Sequence, residues 1–397
     1  MRIVFVAPFA FTPKATVSAR MAPLAAALVA AGHEVVVVVP PYDNPADGGK
    51  CWERDGVRYE NAVASGAGAL AQRSLATQLL RRTRELAPDL VHAFKPVGPG
   101  ALAFDALGGR LPGVLDLDDW EGRGGWASEG AYSLPIRLGL DAQERWTVRR
   151  AGARGAALTC ASEVLCERAR AFSGRADPLL LPNGPAPALR DDVARAEANR
   201  DALRAGFGHA GRTVMVYAGT IPHRNDMDIA LRAFEGRAAA HPDLHWEVIA
   251  SGEGLPSFAA TVAASPMAAR IHLHGFMPHA ALVERLVAAD LAVYPYRDTP
   301  INRAKCSGKV IDYMAAGLPM VLSDVGMNRH YVTDGNSALL TPPGDAAAFE
   351  TALERLLGNP AYAKEVGRAA QARLWARFAW PERLPALLDL YARVRRR

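Results

Sequence analysis

The 397-residue chain is predicted to be an α/β protein built from two Rossmann-like, doubly wound domains. Three observations predict this. Apolar runs such as 2–7 and 34–39 alternate with Ala-rich helical stretches, as expected for parallel strands buried on both faces. The alternation breaks at the Pro- and Gly-rich turn 182–185 and restarts with a strand at 214–218. Half of the residues are hydrophobic, enough at this length for an ordinary core in each of two domains.

Taken in order, a strand over 2–7, a helix over 19–31 ending at Gly32 and a strand over 34–39 make one βαβ unit. A helix over 70–86 leads through Pro88 to a strand over 90–93, and a further helix leads to the strand that begins at Gly113. A long helix covers 134–154, a strand over 156–161 precedes a helix capped by Ser162, and 179–181 closes the first half. The second half reads as strand 214–218, helix 227–239, strands 245–250 and 271–274, helix 280–289 and strand 291–295. Strands 321–323 and 338–341, helices 346–357 and 361–377, and a helix with a basic tip over 380–397 complete it.

Composition removes several function classes. The formal charge of +5 is modest, and Lys and Arg are dispersed rather than interleaved with aromatics, which argues against a dedicated nucleic-acid binder. A phosphorylated small molecule and an acidic membrane surface remain as partner classes. Cys51, Cys160, Cys166 and Cys306 show neither a CxxC pair nor metal-ligand spacing, so reduced thiols of a cytoplasmic protein are expected, without structural zinc. The apolar run 3–7 ends at Pro8 without a charged leader and reads as a first strand rather than a signal peptide. The most apolar later stretch, 24–40, is interrupted by Gly32, His33 and Glu34, so any membrane contact would be peripheral.

The stretch 302–319, NRAKCSGKVIDYMAAGLP, feeds a basic loop into a helix start and is stopped by Gly317 and Pro319. Unpaired first-turn N–H groups and the positive end of the macrodipole, beside Lys305 or Lys309, suit a phosphate. A solvated loop with a helix cap is the plain alternative. A P-loop fails on spacing, because Arg303 stands where its first glycine belongs and Val310 where Ser or Thr is required. Asp116, Asp118 and Asp119 lie at a strand's carboxyl end, and alternation aims Asp116 and Asp118 to one face. There they would serve a metal, a general base or sugar hydroxyls, or simply form a turn. His92 ends another strand, where ligand contact and packing are both open, whereas His33, His209, His241 and His330 read as surface histidines at turns or helix ends. The first connection has no glycine and therefore no GxGxxG, and its polar groups are Lys14, Thr16 and Arg20. In the helix 134–154, Arg137, Arg145, Arg149, Arg150 and Arg154 are mixed with Asp141 and Glu144, which favours a solvated face over contact with anionic lipid.

Ten segments occur in a fixed order: GHEVVVVVP, LVHAF, LTCASEV, LPNG, VYAGT, IASGEG, LHGFMP, AADLAVYP, YMAAGLPMVLSDVG and ALLTPPGD. Through them the chain resembles, over nearly its whole length, the retaining glycosyltransferases of family four. The resemblance implies a GT-B fold, with two Rossmann-like domains facing a central cleft that closes on the donor. Residues 1–187, with a crossover helix over 375–397, would form the acceptor side, and 188–374 the nucleotide-sugar domain. The implied reaction moves a sugar from a nucleotide-diphosphate sugar to an acceptor hydroxyl with retention. Gly275 and Phe276 would flank the base, and Asp312 takes the place of a glutamate that binds the ribose hydroxyls. Gly219, Thr220, Arg224, Asn225, Lys305, Ser307, Gly308 and Lys309 would surround the diphosphate. Asp118 and Asp116, with His92 as a further candidate, would face the sugar and the attacking hydroxyl.

Four departures qualify that pattern. The family's other glutamate, eight positions before Asp312, is Ala304 here, and its diphosphate-binding arginine and lysine are Thr220 and Asn225. Its strand-end histidine corresponds to Asp118, and its paired glycines in the first loop are replaced by Lys14 and neighbours. One cation near a departing diphosphate contributes about 1–4 kcal/mol, so Lys305, Lys309, Arg224 and Lys14 are expected to restore the lost charge. Basic residues rather than a metal are expected to stabilise the leaving group, with Mg²⁺ or Mn²⁺ at the aspartates as the minor alternative. No cofactor is expected beyond the nucleotide-sugar substrate. The acceptor, whether glycan, lipid-linked or natural product, stays open, as does peripheral membrane contact. The competing reading is a catalytically inactive relative that binds nucleotide or a partner enzyme.

Overall fold

Uninterrupted β-branched runs set the strands of this protein. The computed structural model describes residues 1–11, 16–129, 132–175, 177–222 and 226–396. In β1 (Arg2–Val6) and β2 (Glu34–Val39) every residue after the first is buried, so these strands are covered on both faces. They are followed by β3 (Cys51–Arg54), β4 (Val57–Asn61), β5 (Leu90–Phe94), β6 (Gly113–Leu117), β7 (Ala157–Cys160) and β8 (Leu179–Leu180). The second half supplies β9 (Thr213–Thr220), β10 (Leu244–Ser251), β11 (Ile271–His274), β12 (Leu291–Tyr294), β13 (Met320–Ser323) and β14 (Leu339–Thr341).

Among the described residues the strands form two α/β sheets, one of eight in the order β3-β4-β2-β1-β5-β6-β7-β8 and one of six in the order β11-β10-β9-β12-β13-β14. The chain divides into two compact units, Met1–Pro187 with Ala304–Cys306 and Trp380–Arg397, and Ala188–Arg303 with Ser307–Ala379. In each sheet the strand order reverses beside a central strand. In the first, Ile3 of β1 stands beside both Val35 and Leu90; in the second, Met215 of β9 stands beside Trp246 and Leu291. Ligands of doubly wound sheets bind outside the carboxyl ends of strands at such reversals. In the first unit the helix Trp380–Arg395 inserts Leu384, Leu387, Leu390 and Tyr391 into the cluster that contains Ile3, Phe5 and Leu24. In the second, the buried Trp246 packs against the rings of Phe234 and Phe258. No helix among the described residues is long and apolar enough to cross a membrane.

Four local features differ from the sequence expectation. The antiparallel hairpin β3–β4 was not anticipated, although Asp55-Gly56 marks it: both residues have positive φ, 53° and 70°, as a two-residue hairpin turn requires. The first helix does not begin at 19. Val17–Met21 form a wide π-helical turn ahead of the helix Ala22–Ala30, because Pro23 has no N–H for the α-type bond to Ala19. Pro300–Ala304, expected as loop, is a short helix. His209 is not a surface residue: it is buried 3.3 Å from Glu247, whose carboxylate also meets His274 and Arg285.

A Cβ at position 56 would lie 2.8 Å from Val29 Cγ1 in a conformation that L side chains rarely adopt. Gly56→Ala is therefore expected to lower stability by about 1–3 kcal/mol, read as a fall in the urea midpoint with an unchanged slope.

Candidate active site

Charged side chains of the first unit gather at the carboxyl ends of β5 and β6. The π-helical turn aims Arg20 into the interior, where its Nε and Nη2 donate to the two carboxylate oxygens of Asp116 at 2.7 and 2.6 Å. Its remaining donors go to Asn183 Oδ1 and the carbonyl of Leu181, and Thr159 Oγ1 donates to Asp116 Oδ2 at 2.6 Å. Burial opposes the Arg20 charge, but Asp116 more than restores it, and the guanidinium is held above its ordinary range. His92 completes the network through Thr159 and the Tyr391 hydroxyl, 2.7 Å from Nδ1. Burial pushes its pKa down to about 3, so the ring is neutral. Three residues expected to face a ligand are thus internal partners of one another: Asp116 and His92 are fully buried, and Arg20 is 3% exposed. The physical reason is that a buried charge persists only when paired and hydrogen-bonded, and here the pairing consumes the groups.

The second cluster is centred on Lys95, a residue singled out by nothing in the sequence reading. It follows β5 at φ +62°, a conformation that costs a non-glycine residue about 1–3 kcal/mol. Its ammonium, 4% exposed, lies 3.2 Å from Asp118 Oδ1 and 2.6 Å from Asp119 Oδ2, and also donates to Glu121 Oε1. The Asp118 contact is an ion pair without hydrogen-bond geometry. Burial opposes the Lys95 charge, yet the three carboxylates hold its pKa well above the ordinary value. One ammonium cannot satisfy three carboxylates. Burial first, then the charges of Asp119 and Asp116, push Asp118 up to about 7 against the opposing pull of Lys95, and Glu121 is raised as well. Asp118, Asp119 and Glu121 have the spacing of a cation site, and the cation they hold is the Lys95 ammonium. Thr16 is half-buried at the start of the π-helical turn, and Lys14 lies outside the described residues.

In the second unit, candidate residues collect at the carboxyl ends of β9 and β12. Ser307 caps the helix Gly308–Ala315 by accepting from the Lys309 N–H at 3.2 Å, so the open N-terminus begins at Gly308. Tyr294 and Ser307 hydroxyls are 2.5 Å apart, and Tyr296 donates to Tyr294 at 2.8 Å, tying the cap to the strand end. Tyr313, on the same helix, accepts from the Ala218 N–H and donates to its carbonyl, which fixes the end of β9 next to Gly219 and the exposed Thr220. Asp312 is nearly buried, with His279 Nε2 3.0 Å from Oδ1 and Lys309 Nζ 3.1 Å from Oδ2. Burial pushes Asp312 up, but Lys309 and His279 overcome it and hold the carboxyl below its usual range. The Asp312 charge in turn raises His279.

The structure therefore brings together Ser307, Gly308, Lys309 and Asp312 on one helix, with Gly219 and Thr220 at the strand end that Tyr313 holds. Gly275 and Phe276 lie exposed after β11, the Phe276 ring 82% so. Lys305 is half-buried and groups with the first unit, as does Ala304, which is buried in an apolar cluster with Val4, Val6 and Leu117. Arg224 and Asn225 lie outside the described residues. Sequence reasoning missed Lys95, Glu121 and His279. The position of Lys95 directly after the apolar LVHAF strand, at a carboxyl end, was the available signal; nothing local pointed to His279 as a partner of Asp312.

Two family models match the chain: a glycosyl transferase 4-like domain over residues 16–184, and glycosyl transferases group 1 over 212–359. Glycogen synthase of Mycobacterium tuberculosis is 26% identical, over 94% of this chain and 90% of the relative. Phosphatidyl-myo-inositol mannosyltransferase of Mycobacterium leprae is 28% identical, over 48% of this chain and 49% of its own. Among solved structures, sucrose-phosphate synthase of Thermosynechococcus elongatus superposes with a TM-score of 0.75 at 19% identity, covering 99% of this chain and 98% of that one. HepE of Anabaena, in complex with UDP and glucose, does so with 0.72 at 18% identity, covering 98% and 99%. The catalytic domain of starch synthase IV of Arabidopsis thaliana, bound to ADP and acarbose, gives 0.72 at 14% identity, covering 100% and 99%.

Removing either partner of the Arg20–Asp116 pair strands a buried charge. Arg20→Met and Asp116→Asn are each expected to cost about 3–5 kcal/mol in chemical denaturation, while the double variant loses less than the sum of the two.

Proposed function

The chain belongs to the group 1 glycosyl transferases, moving a sugar from a nucleotide-diphosphate donor to an acceptor hydroxyl with retention, and on that premise we propose how its residues divide the work. The carrying observation is the helix Gly308–Ala315: a capped, open N-terminus beside Lys309, with an ionised Asp312 one turn further on. The diphosphate takes the first-turn N–H groups and the Lys309 ammonium, with the exposed Thr220 at the end of β9 as a further donor. The ribose hydroxyls donate to Asp312, which His279 and Lys309 keep charged and oriented. Phe276 offers an exposed ring for the base. UDP is recorded with HepE and ADP with starch synthase IV, so a UDP- or ADP-linked hexose is the donor class these neighbours support.

As the donor bond breaks, negative charge builds on the departing diphosphate. Lys309 and the helix start oppose that charge, and Lys305 and Arg224 are the further cations proposed for it. The acceptor oxygen must lose its proton as it bonds to the anomeric carbon. Asp118 is the carboxylate proposed to receive it, because a pKa near 7 suits a proton acceptor at neutral pH. Lys95 is its positioning residue. Asp116 and His92 support these strand ends from within and are not assigned to the reacting atoms. Ala304 lies in an apolar cluster and offers no carboxylate to the transferred sugar, so sugar selection rests on other groups. The acceptor is a hydroxyl compound that is a glycan, a lipid-linked sugar or a small natural product.

A panel of nucleotide diphosphates and nucleotide sugars, read by thermal shift, is expected to raise the melting temperature for UDP- or ADP-linked ligands. Lys309→Ala should weaken that binding about tenfold or more, and failure of every nucleotide to shift the protein overturns the donor placement.

The rate should rise with pH through about 7 as Asp118 ionises. Since Lys95 lowers that pKa, Lys95→Gln moves this limb to higher pH, Lys95→Arg restores it, and Asp118→Asn removes it with a loss in kcat of about 10²–10⁴-fold. An unmoved limb in Lys95→Gln assigns the proton to another group.

A further inference from the structure

The helix Leu134–Ala153 carries an inference independent of the donor chemistry. Its second half is anchored: Glu144, Thr147, Val148 and Ala151 are buried. Its first turns are not. Every residue from 132 to 139 is exposed, including Leu134 at 65%, Ile136 at 51% and Leu138 at 62%, and Trp146 further along is 56% exposed. Leu134, Leu138, Ala142, Arg145 and Arg149 follow one another at three- and four-residue spacing, with Trp146 beside them, so they form one outward stripe, apolar at its start and basic further on. The Arg150 guanidinium lies 4.8 Å from the Trp146 ring.

In the sequence, Asp141 and Glu144 argued that this charge was mixed and merely solvated. The structure removes that argument for Glu144. Glu144 is fully buried, clamped through both oxygens by Arg168 and accepting from the Gly122 N–H, and Asp141 accepts from the Arg123 N–H and from Arg145 Nε. Glu144 is spent on the body of the unit and Asp141 is shared between the Arg123 backbone and Arg145 of the helix itself, while Arg137 and Arg149 remain on the exposed surface.

We propose that this helix docks the protein on an anionic lipid surface, its leucine-rich start entering the interface and its arginines meeting lipid phosphates. Ile136 and Leu138 point away from each other around the helix, so the tip is apolar on more than one side. A tip exposed and apolar on more than one side suits a deformable bilayer interface, which closes around it, better than a flat protein patch that would cover only one side. Arg stems lie along apolar surface while their heads stay at the phosphates, and tryptophan favours the same depth.

The test is flotation of the full chain with vesicles of phosphatidylcholine alone and with about 30 mol % phosphatidylglycerol. The protein should float with the anionic vesicles and remain below with the neutral ones. Leu134→Ser/Leu138→Ser and Arg137→Glu/Arg149→Glu should each reduce the floated fraction at least about fivefold, with melting temperature and nucleotide binding unchanged. All four side chains are exposed, so folding should survive. Absence of flotation with anionic vesicles, or flotation unaffected by either double variant, overturns the proposal. So does a concentration-dependent dimer that Leu134→Ser/Leu138→Ser converts to monomer, which assigns the tip to a second copy of the chain.

Discussion

A parallel sheet covered by helices on both faces leaves its polar residues few places to go. Within β1, β2 and β5 almost every side chain is buried, so a charge on a strand must be paired on the spot or shifted to the strand's end. Asp116, inside β6, takes the first course, with Arg20 and Thr159 filling its oxygens. Lys95 and Asp118, each one residue beyond a strand, take the second. The chemistry proposed for both units lies where backbone pairing stops.

The two charged networks of the first unit differ in stoichiometry, and that difference underlies the separate roles proposed for them. Arg20 and Asp116 match fork to fork, which locks them and leaves neither available. Lys95 faces three carboxylates, which outnumber its single charge, and Asp118 and Glu121 are both pushed toward the protonated form. The strained backbone at Lys95 is what brings its ammonium to the centre of the trio. In the second unit, hydroxyls do the positioning. Tyr296, Tyr294 and Ser307 form a chain that fixes a helix start, and Tyr313 ties the same helix to the end of β9. The phosphate-binding role proposed for that N-terminus needs this rigidity, because N–H groups help only when their directions are fixed before the ligand arrives.

Much of the architecture was legible in the residues. Continuous Val and Ile runs announced the buried strands, Ser162 announced a helix start, and the interrupted alternation near Pro182 announced a second sheet. The β3–β4 hairpin escaped because its strands are short and half-exposed, and only the Asp55-Gly56 pair marks it. The helix around Gly308 and its lysine were also legible, since capping and charge are local properties.

Local chemistry therefore determined the strands and the helix caps, and it named the residues proposed to meet a phosphate or a sugar hydroxyl. Tertiary structure decided which of them are spent. Alternation placed Asp116 and Asp118 alike, but only packing shows that Arg20, 96 residues away in sequence, neutralises the first, while Lys95 underfills the second. It likewise turned Glu144 inward and left Leu134 and Leu138 in water. The reason is physical: a side chain's charge state and exposure depend on partners that fold topology brings from distant segments, and spacing along the chain carries no record of them.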